Sequence, residues 1–449
     1  MTAIYNVFQT ILGAGAYVML PVMITIVGIV FGMKLSKAFR SGLTVGIGFV
    51  GIKLVIDMLA GNIGPASKAM VENFGINLDI VDVGWGAIAS ATWASPVIAM
   101  LIAIIFVVNI LMLILNLTDT LDVDIWNYHH MAIVGCLIYY GTNNLFLAGC
   151  SAVIMAFITF KLSDWTSPYV EQYFGIPNVS LPTMSFLSSS IIAFPLNWLI
   201  DRIPGLNKLD LTIDKADKYL GVFGEPTMLG FILGCVIGAL AKYSIVDIFN
   251  LGVHMAAVMV LIPRMTSLFV EGLMPISESA TELTRSKFKN RQFLIGLDAA
   301  VVVGDSSVVT ASLILIPLTI LMAAILPGNR VMPFADLAVV TFRVALVVAI
   351  TGGNLFRSVL IGLFVMAAIL YAGTATSPIL TEFAVSTGLD FGGRLVSSFA
   401  SVSLTVSYLV YKAFTTNPKI SIPILIIVLI IIYIFAEKKY NEYKTEKEK

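Results

Sequence analysis

The sequence predicts an all-α polytopic membrane protein of about 11 transmembrane helices, arranged as two inverted five-helix repeats with paired re-entrant hairpins. Three observations carry that prediction: an apolar and charge-poor composition, an internal repetition at a shift of 210 residues, and positive charge that changes sides between the halves. Of the 449 residues, 58% are hydrophobic and only 12% charged, with a mean hydropathy of +0.95. A soluble domain carries about 25% charged residues. A helix that crosses a bilayer needs about 20 predominantly apolar residues. Val97–Leu117 meets that length, while Ile420–Phe435 and Thr227–Leu240 approach it. The N-terminus has no basic stretch ahead of its first apolar run, and further spans follow, so no cleavable signal peptide is expected.

The 27 acidic and 27 basic residues cancel and form no basic stripe, which argues against nucleic acid as a partner. Cys136, Cys150 and Cys235 lie in apolar segments at spacings that fit neither a metal site nor a disulfide framework. They read as small buried hydrophobes. No cofactor and no metal ion is expected.

The repetition emerges when Lys37–Met58 is laid over Asp247–Leu268, which places Phe39 on Phe249 and Gly42 on Gly252. The same shift sets Gly64-Pro65-Ala66-Ser67 over Met274-Pro275-Ile276-Ser277, and Gly141–Phe146 over Thr351–Phe356. Ala94-Ser95 matches Ala311-Ser312 after a small gap. Each match is weak alone, but four in one order point to duplication.

Hydropathy places five spans in each half: about 10–33, 41–60, 96–117, 128–141 and 143–162, then 226–242, 249–271, 308–327, 335–352 and 355–374. An eleventh covers about 420–436. Five is odd, so the second copy must enter the membrane the other way up. Such inverted repeats are the architecture of alternating-access transporters.

Basic residues favour the cytoplasmic side. Lys34, Lys37 and Arg40 put the first inter-helix loop there, whereas its counterpart around 241–250 carries Lys242 against Asp247. Arg285, Lys287, Lys289 and Arg291 answer Glu72, Asp79 and Asp82 with the signs exchanged. The N-terminus is then outside and the charged tail from Glu437 inside. Asp119, Asp122 and Asp124 dissent, because this scheme places them in a cytoplasmic loop.

Gly84–Ala94 and Phe293–Ser307 precede the third span of each half and are rich in small residues, so both read as re-entrant hairpins. Backbone of that kind is tolerated at membrane depth where protein buries it or a cavity lines it. Val179–Leu199 and Val396–Phe414 form a second apolar, Ser-rich pair. The expected organisation is a first repeat over 1–200, a linker with a cytoplasmic amphipathic helix over 201–224, a second repeat over 225–415, and a last span with its tail over 416–449.

At the level of motifs the chain resembles the galactitol-type IIC family of bacterial phosphotransferase systems. The residues that carry the resemblance are GIGFVGI at 46–52, GPASKAMVENFG at 64–75, VDVGW at 81–85, TWAS at 92–95 and VDIWN at 123–127. FGEP at 223–226, FLIGLD at 293–298, LIPLTI at 315–320, LPGN at 326–329 and GGNLFR at 352–357 continue it in the family's order. The ascorbate-type IIC proteins are more distant relatives by layout. The resemblance implies a homodimer in the bacterial inner membrane, with a sugar-carrying core domain and a scaffold domain in each protomer. It also implies an elevator movement of the core and phosphorylation of the sugar by a phospho-IIB protein at the cytoplasmic face. IIA and IIB would be separate polypeptides. Galactitol is the expected cargo, with another hexitol, a pentitol or galactose left open.

A polyol is neutral and rich in hydroxyls, so its site should offer carboxylates or amides and an aromatic face. Ionisable groups at membrane depth are expensive and therefore candidates. Asp298 comes first: it lies among apolar residues in the second hairpin and either accepts cargo hydroxyls or caps the hairpin. Asp305 reads rather as a helix cap. Trp85 and Thr92 belong to the first hairpin, where Trp85 either stacks on the cargo or anchors at the interface. Asn127 and His130 open the fourth span. His129 and His130 are adjacent, about 100° apart on a helix, and cannot both line one site.

Glu225 heads the sixth span beside Pro226, where capping and the helix dipole also explain a carboxylate. Thr183 and Ser185 lie where relatives of this resemblance often carry a His-containing sugar contact; this chain has Thr183 instead. Lys53 and Asp57, four apart on one helix, should pair. Arg264 and Glu271, seven apart, share a face in the same way. Asn144 and Asn354 read as turn residues between helices. An ion-coupled secondary transporter of a small polar metabolite fits inverted repeats equally well. A membrane enzyme or receptor does not, because neither a metal-ligand motif such as HExxH nor a nucleophile motif such as GxSxG with a placed His is present.

Overall fold

The computed structural model describes residues 21–448 apart from 23, 27, 30, 74–77, 123, 210–225, 288–292, 334, 388–390 and 392. The first half runs through helix α1 (Leu35–Asn73), strand β1 (Ile80–Asp82), α2 (Trp85–Ala94), α3 (Ile98–Ile114), β2 (Thr120–Asp122), α4 (Ile125–Thr142), α5 (Leu145–Phe174), β3 (Val179–Ser180), α6 (Met184–Leu187) and α7 (Ser190–Ile200). The second half runs through α8 (Pro226–Leu240), α9 (Ile245–Lys287), β4 (Leu294–Gly296), α10 (Ser306–Ile325), β5 (Val331–Met332), α11 (Val340–Ile350), α12 (Leu355–Ser386), β6 (Leu395–Ser397), α13 (Thr405–Thr415) and α14 (Pro418–Glu448).

Among the described residues, four helices are long and apolar enough to cross a membrane: Leu145–Phe174, Ser306–Ile325, Leu355–Ser386 and Pro418–Lys447. The first span of the sequence reading is described only from residue 21 onward, and the proposed linker helix lies outside the described residues beyond Leu209. Two other spans are fragments of much longer helices. α1 has 39 residues and α9 has 43, so each is about 60 Å long at 1.5 Å per residue. Their polar continuations, Lys68 and Glu72 in α1 and Glu278 and Arg285 in α9, hide the helix from a hydropathy window. The two pack along each other, and α8 packs on α9. Close approach depends on Gly272, where a Cβ would sit 2.8 Å from the Val45 amide nitrogen and 3.0 Å from the Ser41 carbonyl oxygen.

The hairpin predicted at 84–94 is helix α2, entered through Gly84 at φ +85°. The one predicted at 293–307 is strand β4 followed by a 3-10 turn at Ala299–Val301. Among the described residues, six short strands therefore sit in a chain read from sequence as helical throughout. They form two three-stranded parallel sheets, ordered β5-β1-β6 and β2-β4-β3. In the first, Ile80 pairs with Val331 and Leu395; in the second, Ile295 pairs with Leu121 and Val179.

α4 and α11 are the deepest helices. Every residue from Asn127 to Ile138 is buried, as is every one from Arg343 to Ile350. A helix apolar on all sides belongs inside; α4 starts just beyond β2, and α11 just beyond the 3-10 turn Ala335–Val339 that follows β5. α5 and α12 share their punctuation: each opens on an asparagine cap, Asn144 or Asn354, whose Oδ1 accepts the amide three residues on, and each carries a proline, Pro168 or Pro378.

No residue of α14's apolar window is fully buried, although Ile422, Leu425 and Leu429 pack on the core, and its polar end is tied to the first half. Lys161 of α5, 1% exposed, pairs with Asp164 at 3.1 Å and with Glu437 at 2.7 Å. Tyr440 Oη and Lys444 Nζ donate to Asp119 Oδ2 at 3.0 and 2.8 Å.

Candidate functional site

Strands in a parallel sheet end on the same side. At that side of β2-β4-β3 the chain delivers Asp122, Asp298 and Thr183 to one place. Asp122 closes β2, opposite Gly296 in register. Only glycine fits there, because a Cβ at 296 would lie 2.8 Å from the Asp122 Cα. Asp122 Oδ1 accepts from the Asp124 amide at 3.1 Å and from Asn127 Nδ2 at 3.2 Å. Its backbone amide donates to Asn109 Oδ1 at 3.1 Å, and its carbonyl accepts from Tyr128 Oη at 3.2 Å. Thr183 Oγ1 donates to Asn127 Oδ1 and accepts from the Ala299 amide, both at 2.8 Å. Asp298 Oδ1 accepts the Ala300 amide at 2.7 Å and so caps the 3-10 turn.

This is a continuous relay from the second half through Thr183 and Asn127 to Asp122. It ends on an unmatched atom: Asp122 Oδ2 is buried and accepts no hydrogen bond. Asp124 and Asp298 both act on Asp122 electrostatically. The site is acidic and short of donors, which suits a neutral ligand that brings O–H groups.

The other sheet carries a related cluster. Asp82, at the end of β1, accepts the Gly84 amide at 3.1 Å through Oδ1 and the Asp336 amide at 2.7 Å through Oδ2. Asp336 in turn accepts the Trp85 amide at 2.8 Å through Oδ1, and Ser398 Oγ at 2.7 Å and the Phe399 amide at 2.6 Å through Oδ2. Arg343, on the first turn of α11, is 2% exposed. Its Nη1 donates to the Val339 carbonyl at 2.6 Å, and its Nε and Nη2 are buried with no partner.

The sequence-derived candidates therefore divide. Asp298, Asn127 and Thr183 come together, with Ser185 buried on α6 just beyond. Trp85 belongs to the second cluster, the residue 42% exposed and its amide held by Asp336. His130 leans the same way: its Nδ1 lies 3.2 Å from the Ala400 carbonyl oxygen. His129 and His130 are both buried, with ring centroids 4.0 Å apart. Thr92 is buried, and its hydroxyl donates back along α2 to Ile88 at 2.8 Å. Glu225 lies outside the described residues, as do the side chains of Lys53 and Asp57. Arg264 and Glu271 are exposed. Asp305 caps α10 through the Ser307 and Val308 amides at 2.9 and 3.1 Å.

Sequence reasoning missed Asp122, Asp82, Asp336 and Arg343. It placed Asp119, Asp122 and Asp124 in a cytoplasmic loop, and all three are buried, at 8%, 2% and 5% exposure. Their disagreement with the charge rule has a physical reason: they face the protein interior, where loop-charge bias does not act. The signal that could have found Arg343 was present, since it is a lone cation in the apolar run LAVVTFRVALVVAI.

Residues 10–394 match the EIIC-GAT family model, described as the sugar-specific permease component of the phosphotransferase system. The chain is 40% identical over 410 residues to the galactitol-specific EIIC component of the phosphotransferase system of Escherichia coli (strain K12), with 91% of each chain covered. It is equally similar to the counterpart in Escherichia coli O157:H7, again 40% over 410 residues and 91% of each chain. A permease IIC component of strain K12 is 37% identical over 388 residues, covering 86% of this chain and 89% of its own.

Proposed function

The chain belongs to the EIIC-GAT family of phosphotransferase sugar permeases, and from that membership we propose that it carries a polyol, galactitol first among them, across the bacterial cytoplasmic membrane for phosphorylation by a separate phospho-IIB. The observation that carries the reading is Asp122 Oδ2, a buried carboxylate oxygen with no donor. A buried acceptor left unmatched costs about 1–3 kcal/mol, more when charged, and a hydroxyl of the cargo removes that penalty. Asp122 and Asp298 are the proposed acceptors, held in place by Asn127 and Thr183. Ser185, Trp85, Thr92, His130 and Glu225 complete the proposed set of contacts.

Alternating access would use the two halves as inverted repeats. The strand pairing supports this: β1 pairs with β5 and β6, and β4 pairs with β2 and β3, so each half lends its first strand to the other's second and third. Matched caps and prolines in α5 and α12 support it further. The proposed elevator core is the two sheets with α4 and α11, and the scaffold is α1, α8 and α9. We assign the homodimer face to the scaffold, where Phe39, Leu43, Ile47 and Leu54 leave an apolar stripe uncovered along α1. The proposed orientation has the N-terminus outside and the α14 tail, with IIB, at the cytoplasmic face.

The test is uptake by vesicles loaded with phosphoenolpyruvate, the general phosphotransferase proteins and the cognate IIA and IIB. Labelled galactitol is added outside with and without a protonophore. The expected result is accumulation as a phosphate ester that requires IIB and ignores the protonophore. Free galactitol that accumulates without IIB and collapses with the protonophore would make the protein an ion-coupled transporter instead.

A further inference from the structure

We propose that Arg343 is a second polyol contact, whose free Nε–H and Nη2–H edge donates to two hydroxyl oxygens of the cargo. This rests on the reading that the chain carries a polyol. Nε–H and Nη2–H point the same way from one planar group, forming a fork for two acceptor atoms. Here the fork is buried and unmatched, while the remaining nitrogen is held by the Val339 carbonyl at 2.6 Å. A guanidinium stays charged in a protein and cannot escape by losing a proton. An unmatched charged donor pair this deep in a membrane protein is expensive, which is why such groups mark ligand pathways.

The surrounding charge selects the class of occupant. Asp336 and Asp82 both act on Arg343 electrostatically, yet their oxygens are engaged by Trp85, Ser398, Phe399, Gly84 and the Asp336 amide. One cation against two carboxylates leaves the cluster at −1, so an anionic occupant is disfavoured. Neutral oxygens satisfy the fork without adding charge.

α4 links this edge to the first cluster. Asn127 bonds Asp122, and His130, three residues on, acts on Arg343. Residues three apart share a helix face and are about 4.5 Å apart along the axis. The face of α4 is thus bordered by a free acceptor, Asp122 Oδ2, and a free donor pair, Arg343. Each hydroxyl of a polyol can both donate and accept, so one molecule can answer both.

The test measures equilibrium binding of galactitol and three of its monodeoxy analogues, lacking the hydroxyl at C1, C2 or C3, to the full-length protein in detergent, for wild type, Arg343→Gln and Arg343→Lys. A site that hydrogen-bonds a hydroxyl rejects the analogue lacking it. Wild type should bind at least one analogue roughly tenfold more weakly than galactitol. Arg343→Gln should bind galactitol more weakly and lose that preference, and Arg343→Lys should recover part of it. Arg343→Lys keeps the charge opposite Asp82 and Asp336, so it carries the test if the Gln variant does not fold. Variants that keep the wild-type ranking of all three analogues would overturn the proposal while leaving polyol transport intact. A wild type that binds no hexitol would overturn the transport reading itself, and this inference with it.

Discussion

Lys161 Nζ stands 2.7 Å from Glu437 Oε2, joining α5 to the charged end of α14 inside a shell of Trp165, Tyr433 and Tyr440 rings. Asp164 completes the group at 3.1 Å, and its Oδ1 also accepts from Thr118 Oγ1, Thr120 Oγ1 and the Asp119 and Thr120 amides at 2.8–3.2 Å. The two carboxylates are not equivalent: the Asp164 side chain is fully buried, while that of Glu437 is 22% exposed.

Breaking a buried pair by removing one partner costs about 3–5 kcal/mol. Asp164→Ala should fall in that range, because it leaves the four donors to its Oδ1, which lead into β2, without an acceptor and leaves Lys161 to Glu437 alone. Glu437→Ala should lose distinctly less, since Asp164 still answers Lys161 and water reaches the vacated position. Thermal unfolding of the detergent-purified variants, followed by tryptophan fluorescence, orders the two. Equal losses would mean that Glu437 carries the junction as much as Asp164 does.

The asparagine caps give a second comparison. Replacing an N-cap asparagine by alanine costs about 1 kcal/mol, so Asn144→Ala should lose about that much. Asn354→Ala should lose more, because Asn354 Nδ2 also holds the Leu209 carbonyl at 2.8 Å. The same unfolding assay reads the difference, and an Asn144 variant that is the less stable of the two would contradict it.

How far the sequence disclosed this architecture depends on the signal each element emits. α5, α10, α12 and α14 each hold a long apolar window, so hydropathy finds them. α1 and α9 were cut short because their last turns are polar, and only tertiary packing makes them one helix. The strands have two or three residues each, too few for any period to register, and their partners lie far away in sequence. That is why Asp122 read as a loop charge: nothing local says that Leu294–Gly296 will bury it. Asn127 and Thr183 were singled out because of where they fall in the family's pattern, and Asp298 because it is polar in an apolar stretch. Arg343 met the same criterion and was passed over.

Gly296 offers a direct check on the strand junction. A methyl group there meets the Asp122 Cα at 2.8 Å and Pro182 Cγ at 3.0 Å, and neither can withdraw without opening the β2-β4-β3 sheet. Overpacking of this kind costs about 1–3 kcal/mol. Gly296→Ala should therefore lower stability by about that amount and weaken galactitol binding in the same preparation. Gly175→Ala, at φ +69° with open space around it, should lower stability without changing the affinity of the folded fraction.

Asp122 and Thr183 separate contact from positioning. In Asp122→Asn the inward oxygen can still accept from Asn127 and the Asp124 amide, but the outward atom becomes an NH₂ that cannot accept a hydroxyl. A buried group left without its hydrogen bond costs about 1–3 kcal/mol, or roughly five- to a hundredfold in affinity. Galactitol binding should fall by that factor while thermal stability changes little, since the hydrogen bonds to the inward oxygen are kept. Thr183→Val acts differently. It leaves the Ala299 amide and Asn127 Oδ1 without their 2.8 Å partners, so stability should drop with affinity, by about 1–3 kcal/mol. Thr183→Ser keeps the hydroxyl and should restore both. An Asp122→Asn protein that binds galactitol like wild type would remove the carboxylate from the site and leave Asp298 as the remaining acceptor.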